Sequence, residues 1–209
     1  MLDCLEFMDT SRLDALLERG GGLATHAQAV RAGIDPHLLL AGVRDGTLER
    51  VQRGVYRRTT ADIRPFETLL EVQLRIPLAV TSGASALAFH SLTTFLPKTV
   101  EISLPRNRLA PKLTYPKIQV FYLPPQAFRH GQEEHDLGGQ TLRVYSAERT
   151  LADLLLQGKR APHPLFAEGL RTYLERGKPN VGALLEAARV RRVEAPMRDY
   201  LSVLVNPDG

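Results

Sequence analysis

Leu13, Leu16 and Leu17 fall at i, i+3 and i+4, the buried stripe of a helix that the sequence predicts from a Ser11 cap to Arg19. Residues 1–9 are short and mixed and read as a start-site extension or a small packing arm, and Gly20-Gly21-Gly22 stops the helix. Thr25, with Gln28 three residues on, has the capping-box pattern of a second helix ending near Gly33, with Ala27 and Val30 inward. Asp35-Pro36 opens a third helix: aspartate caps it, and proline takes the first helical position, where its missing N–H has no partner to lose. Gly46 ends that helix. Ile34, Leu39 and Val43 form its buried side, which leaves Pro36, His37, Leu40, Ala41 and Arg44 outward. Leu48 to Val51 and Val55 to about Arg57 then read as strands about a Gln52-Arg53-Gly54 turn, with glycine at the left-handed position. Three short helices followed by a tight hairpin predict a winged helix-turn-helix over residues 1–60.

After a short linker at Thr59 to Asp62 the pattern changes. A helix is predicted from Arg64 to Ile76, with Phe66, Leu69, Leu70 and Leu74 near one face, ending before Pro77. Leu78 to Val80 reads as a short apolar strand or extended piece, and Ser82 as the cap of a small-residue helix to Leu92. Thr99 to Leu104, Ile118 to Leu123 and Gln140 to Tyr145 are rich in β-branched and aromatic residues and read as strands. Ser146 caps a helix to Leu156, and three more helices are expected at about 164–176, 180–193 and 195–204. The fold class is therefore α+β. The winged helix-turn-helix precedes a larger mixed α/β domain, residues 61–209, with a small sheet and several helices.

Charge adds a partner class. The chain has a formal charge of +4 and a pI near 9.4, compatible with a polyanion. Its hairpin carries Arg50, Arg53, Arg57 and Arg58 against Glu49 alone. On the third helix His37 and Arg44 can donate to a base or phosphate, and Leu40 can touch a thymine methyl. That helix is poor in donors for a base reader. Thr25 at the second helix start joins the candidate DNA contacts, and Arg189, Arg191 and Arg192 are candidate partner or phosphate contacts. One cysteine, Cys4, excludes an internal disulfide framework. The amino end has no positive n-region and no long apolar run, and nothing approaches a spanning apolar stretch, so neither signal peptide nor membrane span is expected and the cytoplasm is.

No catalytic constellation emerges. The glycine triplet lacks the Gly-Lys-Ser/Thr of a phosphate loop. His130, Glu133, Glu134, His135 and Asp136 do not have metal-helix spacing and read as a solvated hairpin connection. His90, on an apolar helix, reads as a histidine bonded to backbone, and Ser82 and Ser85 lie outside Gly-x-Ser-x-Gly. Glu101-Ile102-Ser103 lacks the lysine of a restriction-type nuclease. Arg149 and Asp153, four apart on a helix, read as a structural ion pair. No cofactor and no enzyme activity are expected.

The order Leu16-x-x-x-Gly20-Gly21, Gly33-Ile34 and Val43-Arg44-Asp45-Gly46-x-Leu48-Glu49-Arg50-Val51-x-Arg53-Gly54-Val55-Tyr56 resembles the amino domain of AbiEi-type antitoxins. Two later segments strengthen the resemblance. Ser85-Ala86-Leu87-Ala88-Phe89-His90-Ser91-Leu92 is similar to a family helix, and Tyr145 to Leu154 is similar to its V-x-x-x-E-R-T-L-x-D-L run. Gly42 stands where a leucine is usual, which implies a third helix packed more loosely. The resemblance implies a repressor of its own abortive-infection operon that binds operator inverted repeats, as a homodimer on DNA. It further implies a nucleotidyltransferase-like toxin as functional partner. The alternative is a protein-interaction module whose winged helix no longer reads DNA.

Overall fold

Thr25 and Gln28 form the reciprocal cap that their spacing predicts. Gln28 N–H donates to Thr25 Oγ1 at 3.1 Å, and Thr25 N–H donates to Gln28 Oε1 at 2.8 Å. The structure is a computed structural model that describes residues 2–61, 65–158 and 164–205. It divides into two compact units, Met1–Pro77 with His135–Leu142, and Leu78–Glu134 with Arg143–Gly209.

The first unit begins with α1 (Leu2–Arg19), so the amino end is helical instead of a separate arm and Ser11 lies inside the helix, not at its cap. Then come β1 (Leu23–Thr25), α2 (His26–Arg31) and α3 (His37–Arg44). The hairpin is β2 (Leu48–Gln52) and β3 (Val55–Arg58), and α4 (Glu67–Arg75) follows. Strand β1 has only three residues and no alternation to announce it. It pairs antiparallel with β3, Ala24 opposite Tyr56, to give the order β1-β3-β2. The expected linker end at Asp62 and helix start at Arg64 lie outside the described residues. Phe66, expected on the buried face of α4, instead precedes it in a left-handed conformation (φ 63°) and is partly exposed.

Leu13, Leu17, Ala24, Ala29, Ile34, Leu39, Leu48 and Tyr56 make the core of this unit. Ala27 and Val30, expected inward, are exposed, and Ala29 takes the inner position. The six-residue α2 is too short for a full apolar stripe, and its cap sets the inward face. Gly42 does the opposite of loosening α3. It is buried, and a Cβ there would lie 2.8 Å from Leu48 Cγ and Cδ1, so glycine lets helix and strand approach closely.

The second unit contains β4 (Val80–Thr81), α5 (Gly83–Phe89), β5 (Val100–Pro105), β6 (Ile118–Leu123), α6 (Pro125–Arg129), β7 (Gln132–Asp136) and β8 (Thr141–Tyr145). Four helices close it: α7 (Ala147–Gln157), α8 (Pro164–Glu175), α9 (Val181–Val190) and α10 (Glu194–Val205). The five strands run in the order β6-β5-β4-β8-β7, with β5 parallel to β6. Residues 132–136, expected as a solvated connection, form the outer strand β7. Their polar, alternating side chains carry no apolar face that would announce a strand. The tip of the β7–β8 hairpin is counted with the first unit, where Gln140 Nε2 donates to Leu23 O and Gln140 Oε1 accepts from Gln28 Nε2, both at 3.2 Å.

Leu87, Leu151, Leu154, Phe166, Leu170, Leu184 and Met197 form the apolar core of the second unit. Beside it Arg149 is fully buried. Its Nε donates to Asp153 Oδ2 at 3.0 Å, its Nη1 donates to Ala127 O and His130 O at 2.6 and 2.7 Å, and its guanidinium lies 4.3 Å from the Tyr145 ring centre. Ser146 caps α7 by accepting from Arg149 N–H at 3.2 Å. Removing Arg149 strips a partner from two partly buried carbonyls and from Asp153. Arg149→Met is expected to destabilise this unit by about 3 kcal/mol, read as a lower urea midpoint with faster amide exchange in α7.

Candidate nucleic-acid interface

Helix α3 is held at both ends by aspartate. Asp35 Oδ1 accepts from His37 N–H at 2.9 Å, the capping bond that the sequence predicts, although the helix itself begins at His37, one residue later than expected. At the other end Asp45 Oδ1 accepts from Thr47 Oγ1 and N–H at 2.7 and 3.1 Å, which holds its carboxyl below the usual range. Gly46 follows at φ +80°, the left-handed stop that the sequence predicts. Ile34 and Leu39 are buried and Val43 partly so, while His37, Leu40 and Arg44 are exposed at i, i+3 and i+7. Leu40 is 47% exposed, although a leucine on a helix of a packed unit is ordinarily inside.

The hairpin turn carries Arg53 and Gly54, the latter at φ +79°. Arg50 and Arg53 are exposed. His26 N–H donates to Gly54 O at 2.9 Å, which ties the turn to the start of α2 and leaves exposed His26 next to it. Nothing in the sequence marks His26 as a contact except the Thr25–Gln28 capping box that opens just before it.

The four hairpin arginines do not form one free cationic surface. Glu49 lies directly across the strands from Arg57, and Arg57 Nε donates to Glu49 Oε1 at 2.6 Å. Arg57 Nη1 also donates to Glu67 of α4 and lies 3.7 Å from Glu71. Burial opposes the charge on Arg57, but hydrogen bonds to Glu49 and Glu67 outweigh it and raise its pKa. Arg58 Nη2 pairs with Asp14 Oδ1 of α1 at 2.6 Å. Thr25 is also taken: its hydroxyl caps α2 and the residue is buried, so it is no exposed contact. The partners Asp14, Glu67 and Glu71 lie outside the hairpin in sequence, and only the fold brings them to it.

The carboxy-terminal arginines divide as well. Arg191 Nε donates to Asp153 Oδ1 and its side chain is 13% exposed, so it is a structural partner of α7 and not an open contact. Arg189 pairs with Glu186 one helical turn away on α9. Arg192 is exposed at the α9–α10 turn with φ +60°. His90 Nε2 lies 2.8 Å from Tyr145 O, the backbone contact that the sequence reading assigns to it. Burial, then Arg149, lowers the pKa of His130. Among the described residues no group of three or more histidines, cysteines or acids could hold a metal ion, and no helix is long and apolar enough to cross a membrane.

Residues 11–59 match the family described as "Transcriptional regulator, AbiEi antitoxin". Among solved structures, the Rv2827c protein from Mycobacterium tuberculosis is similar over 93% of this chain and 81% of its own, at 18% identity and a TM-score of 0.48. No curated protein matches the chain.

Burial raises the Glu71 carboxyl to about 7; Arg57 pulls it down, while Glu67 and Glu49 push it further up. The native state therefore keeps a proton that the unfolded chain releases near its ordinary 4.5. The stability contributed by this group is complete below the unfolded value and is lost as pH rises through the folded one. Between about pH 5 and pH 8 the first unit should lose on the order of 2 kcal/mol, read from urea midpoints, and Glu71→Gln should flatten that slope.

Proposed function

We propose that the chain is a DNA-binding transcriptional repressor of the AbiEi antitoxin type. Residues 1–60 serve as a winged helix-turn-helix and residues 61–209 as the antitoxin domain. Helix α3 enters the major groove, with His37 and Arg44 as donors and Leu40 against a thymine methyl. The hairpin is the wing, and Arg50 and Arg53 meet phosphates or a minor groove. The observation that carries this reading is the exposed His37, Leu40 and Arg44 stripe, in one unit with exposed Arg50 and Arg53, inside the segment that matches the AbiEi family.

The family match further supports an operator in its own promoter region, built of inverted repeats and bound by two copies in the cytoplasm. It also supports a nucleotidyltransferase-like toxin that the second domain counteracts. No catalytic step is assigned to the chain, and the reading needs no cofactor.

The ion pairs on Arg57 and Arg58, with the few donors on α3, favour a second reading: a protein-interaction module that has left DNA. A gel shift with the duplex upstream of the chain's own reading frame separates the two. A DNA reader should weaken as salt rises, and Arg53→Ala should remove about one unit of the log–log salt slope. Arg57→Ala should lower thermal stability more than it changes that slope. Salt-insensitive or absent binding selects the second reading.

A further inference from the structure

We infer that the open edge of β6 takes up an extended acidic segment of a partner protein as an added strand. Among the described residues strand β6 ends the sheet and pairs only with β5. Val100 N–H donates to Lys117 O, and Arg106 N–H to Leu123 O, so the odd-numbered residues of β6 bond to β5 in this parallel register. The N–H and C=O groups of Ile118, Val120 and Tyr122 therefore face away from the sheet. Such a row is a template for a further strand unless the fold blunts it. This edge has no proline within Ile118–Leu123 and no charged side chain.

The surroundings specify the occupant. The connection from β5 to β6 exposes Arg106, Arg108, Lys112 and Lys117, and among the described residues none of them forms an ion pair. The same connection exposes apolar surface, with Leu109 at 89% and Tyr115 at 67%. Ala110 N–H donates to the Tyr122 hydroxyl at 3.3 Å, which ties the connection to the exposed end of β6. At the other end Pro111, Lys112, Leu113, Lys117, Ile118 and Gln119 line a groove of about 600 Å³. Backbone groups in strand geometry, apolar side chains and unpaired cations together fit an extended peptide with alternating acidic and aliphatic residues. A second copy would set Lys117 and Arg106 against their own likenesses. A nucleic acid would satisfy the cations but neither the backbone edge nor Leu109. This surface lies outside the proposed DNA contacts, and its failure leaves the gel-shift result untouched.

The full chain is titrated with a labelled eight-residue peptide of alternating glutamate and valine, and with its lysine and valine counterpart. The readouts are fluorescence anisotropy and amide exchange. The acidic peptide should bind at least fivefold tighter and slow exchange at Ile118, Val120 and Tyr122 about tenfold. Val120→Pro removes one outward donor, and proline is compatible with an edge strand whose N–H faces solvent. It should weaken binding about tenfold. Should that variant fail to fold, Lys112→Glu with Lys117→Glu carries the decision and should reverse the preference between peptides. The proposal is overturned by equal binding of both peptides, or by unchanged exchange at the three amides. Protection of the same amides by self-association without peptide, or by duplex DNA alone, overturns it as well.

Discussion

Arg57 decides how much of the hairpin's charge is available. It sits on the middle strand of a three-stranded sheet, opposite Glu49 and within reach of two glutamates on α4. A guanidinium with five donors can serve several carboxylates at once, and here it links strand to strand and sheet to helix. Its side chain is 15% exposed, so the attraction is screened less than in a surface pair. The arrangement holds three acids about one base, and burial, with Glu67 and Glu49 adding to it against Arg57, is why Glu71 keeps its proton to about 7. Rigid placement of the hairpin and a smaller free cationic surface are two results of one cluster.

The local parts of this unit were legible because short-range chemistry specifies them. The capping box at Thr25, the aspartate before His37, the glycine at 46 and the Arg53-Gly54 turn each depend on residues within a few positions. What sequence could not supply was long-range. Strand β1 gains its identity from β3 some thirty residues on, and Gln140 reaches Leu23 O from more than a hundred residues away. The free arginines were likewise hidden. A charge run gives the supply of cations, but Asp14 and Glu67, which consume two of them, come from other elements. Gly42 failed for a related reason: a missing side chain reads as a gap until Leu48 is seen to fill the space.

The second unit shows how a short motif can carry tertiary information. In the Glu148-Arg149-Thr150-Leu151-Ala152-Asp153-Leu154 run, the apolar positions 151 and 154 point into the helical core while Arg149 and Asp153 share one face of α7. Arg149 satisfies the carbonyls of Ala127 and His130, and Asp153 also accepts from Arg191 after α9. A buried base of this kind is costly unless its donors find acceptors, so the α6 region and the end of α9 must both be in place around it, and even so Arg149 Nη2 is buried without a hydrogen-bond partner among the described residues. The pair was visible from its spacing of four. Its reach to α6 and α9 was not.

The reduced charge of the hairpin also bears on how such a domain could reach useful affinity. With Arg57 and Arg58 engaged internally, the exposed cations of α3 and the hairpin are Arg44, Arg50 and Arg53. Neutralising about three phosphates gives a log–log salt slope of only about −2.7, well short of proteins that make six to ten such contacts. A single domain of that kind stays near the non-specific range at physiological salt. Two domains held together make the second binding event intramolecular, which raises avidity by orders of magnitude without any new contact. Under the DNA reading two linked copies should therefore bind far more tightly than one, and a lone half-site should be a poor ligand however well its bases fit α3.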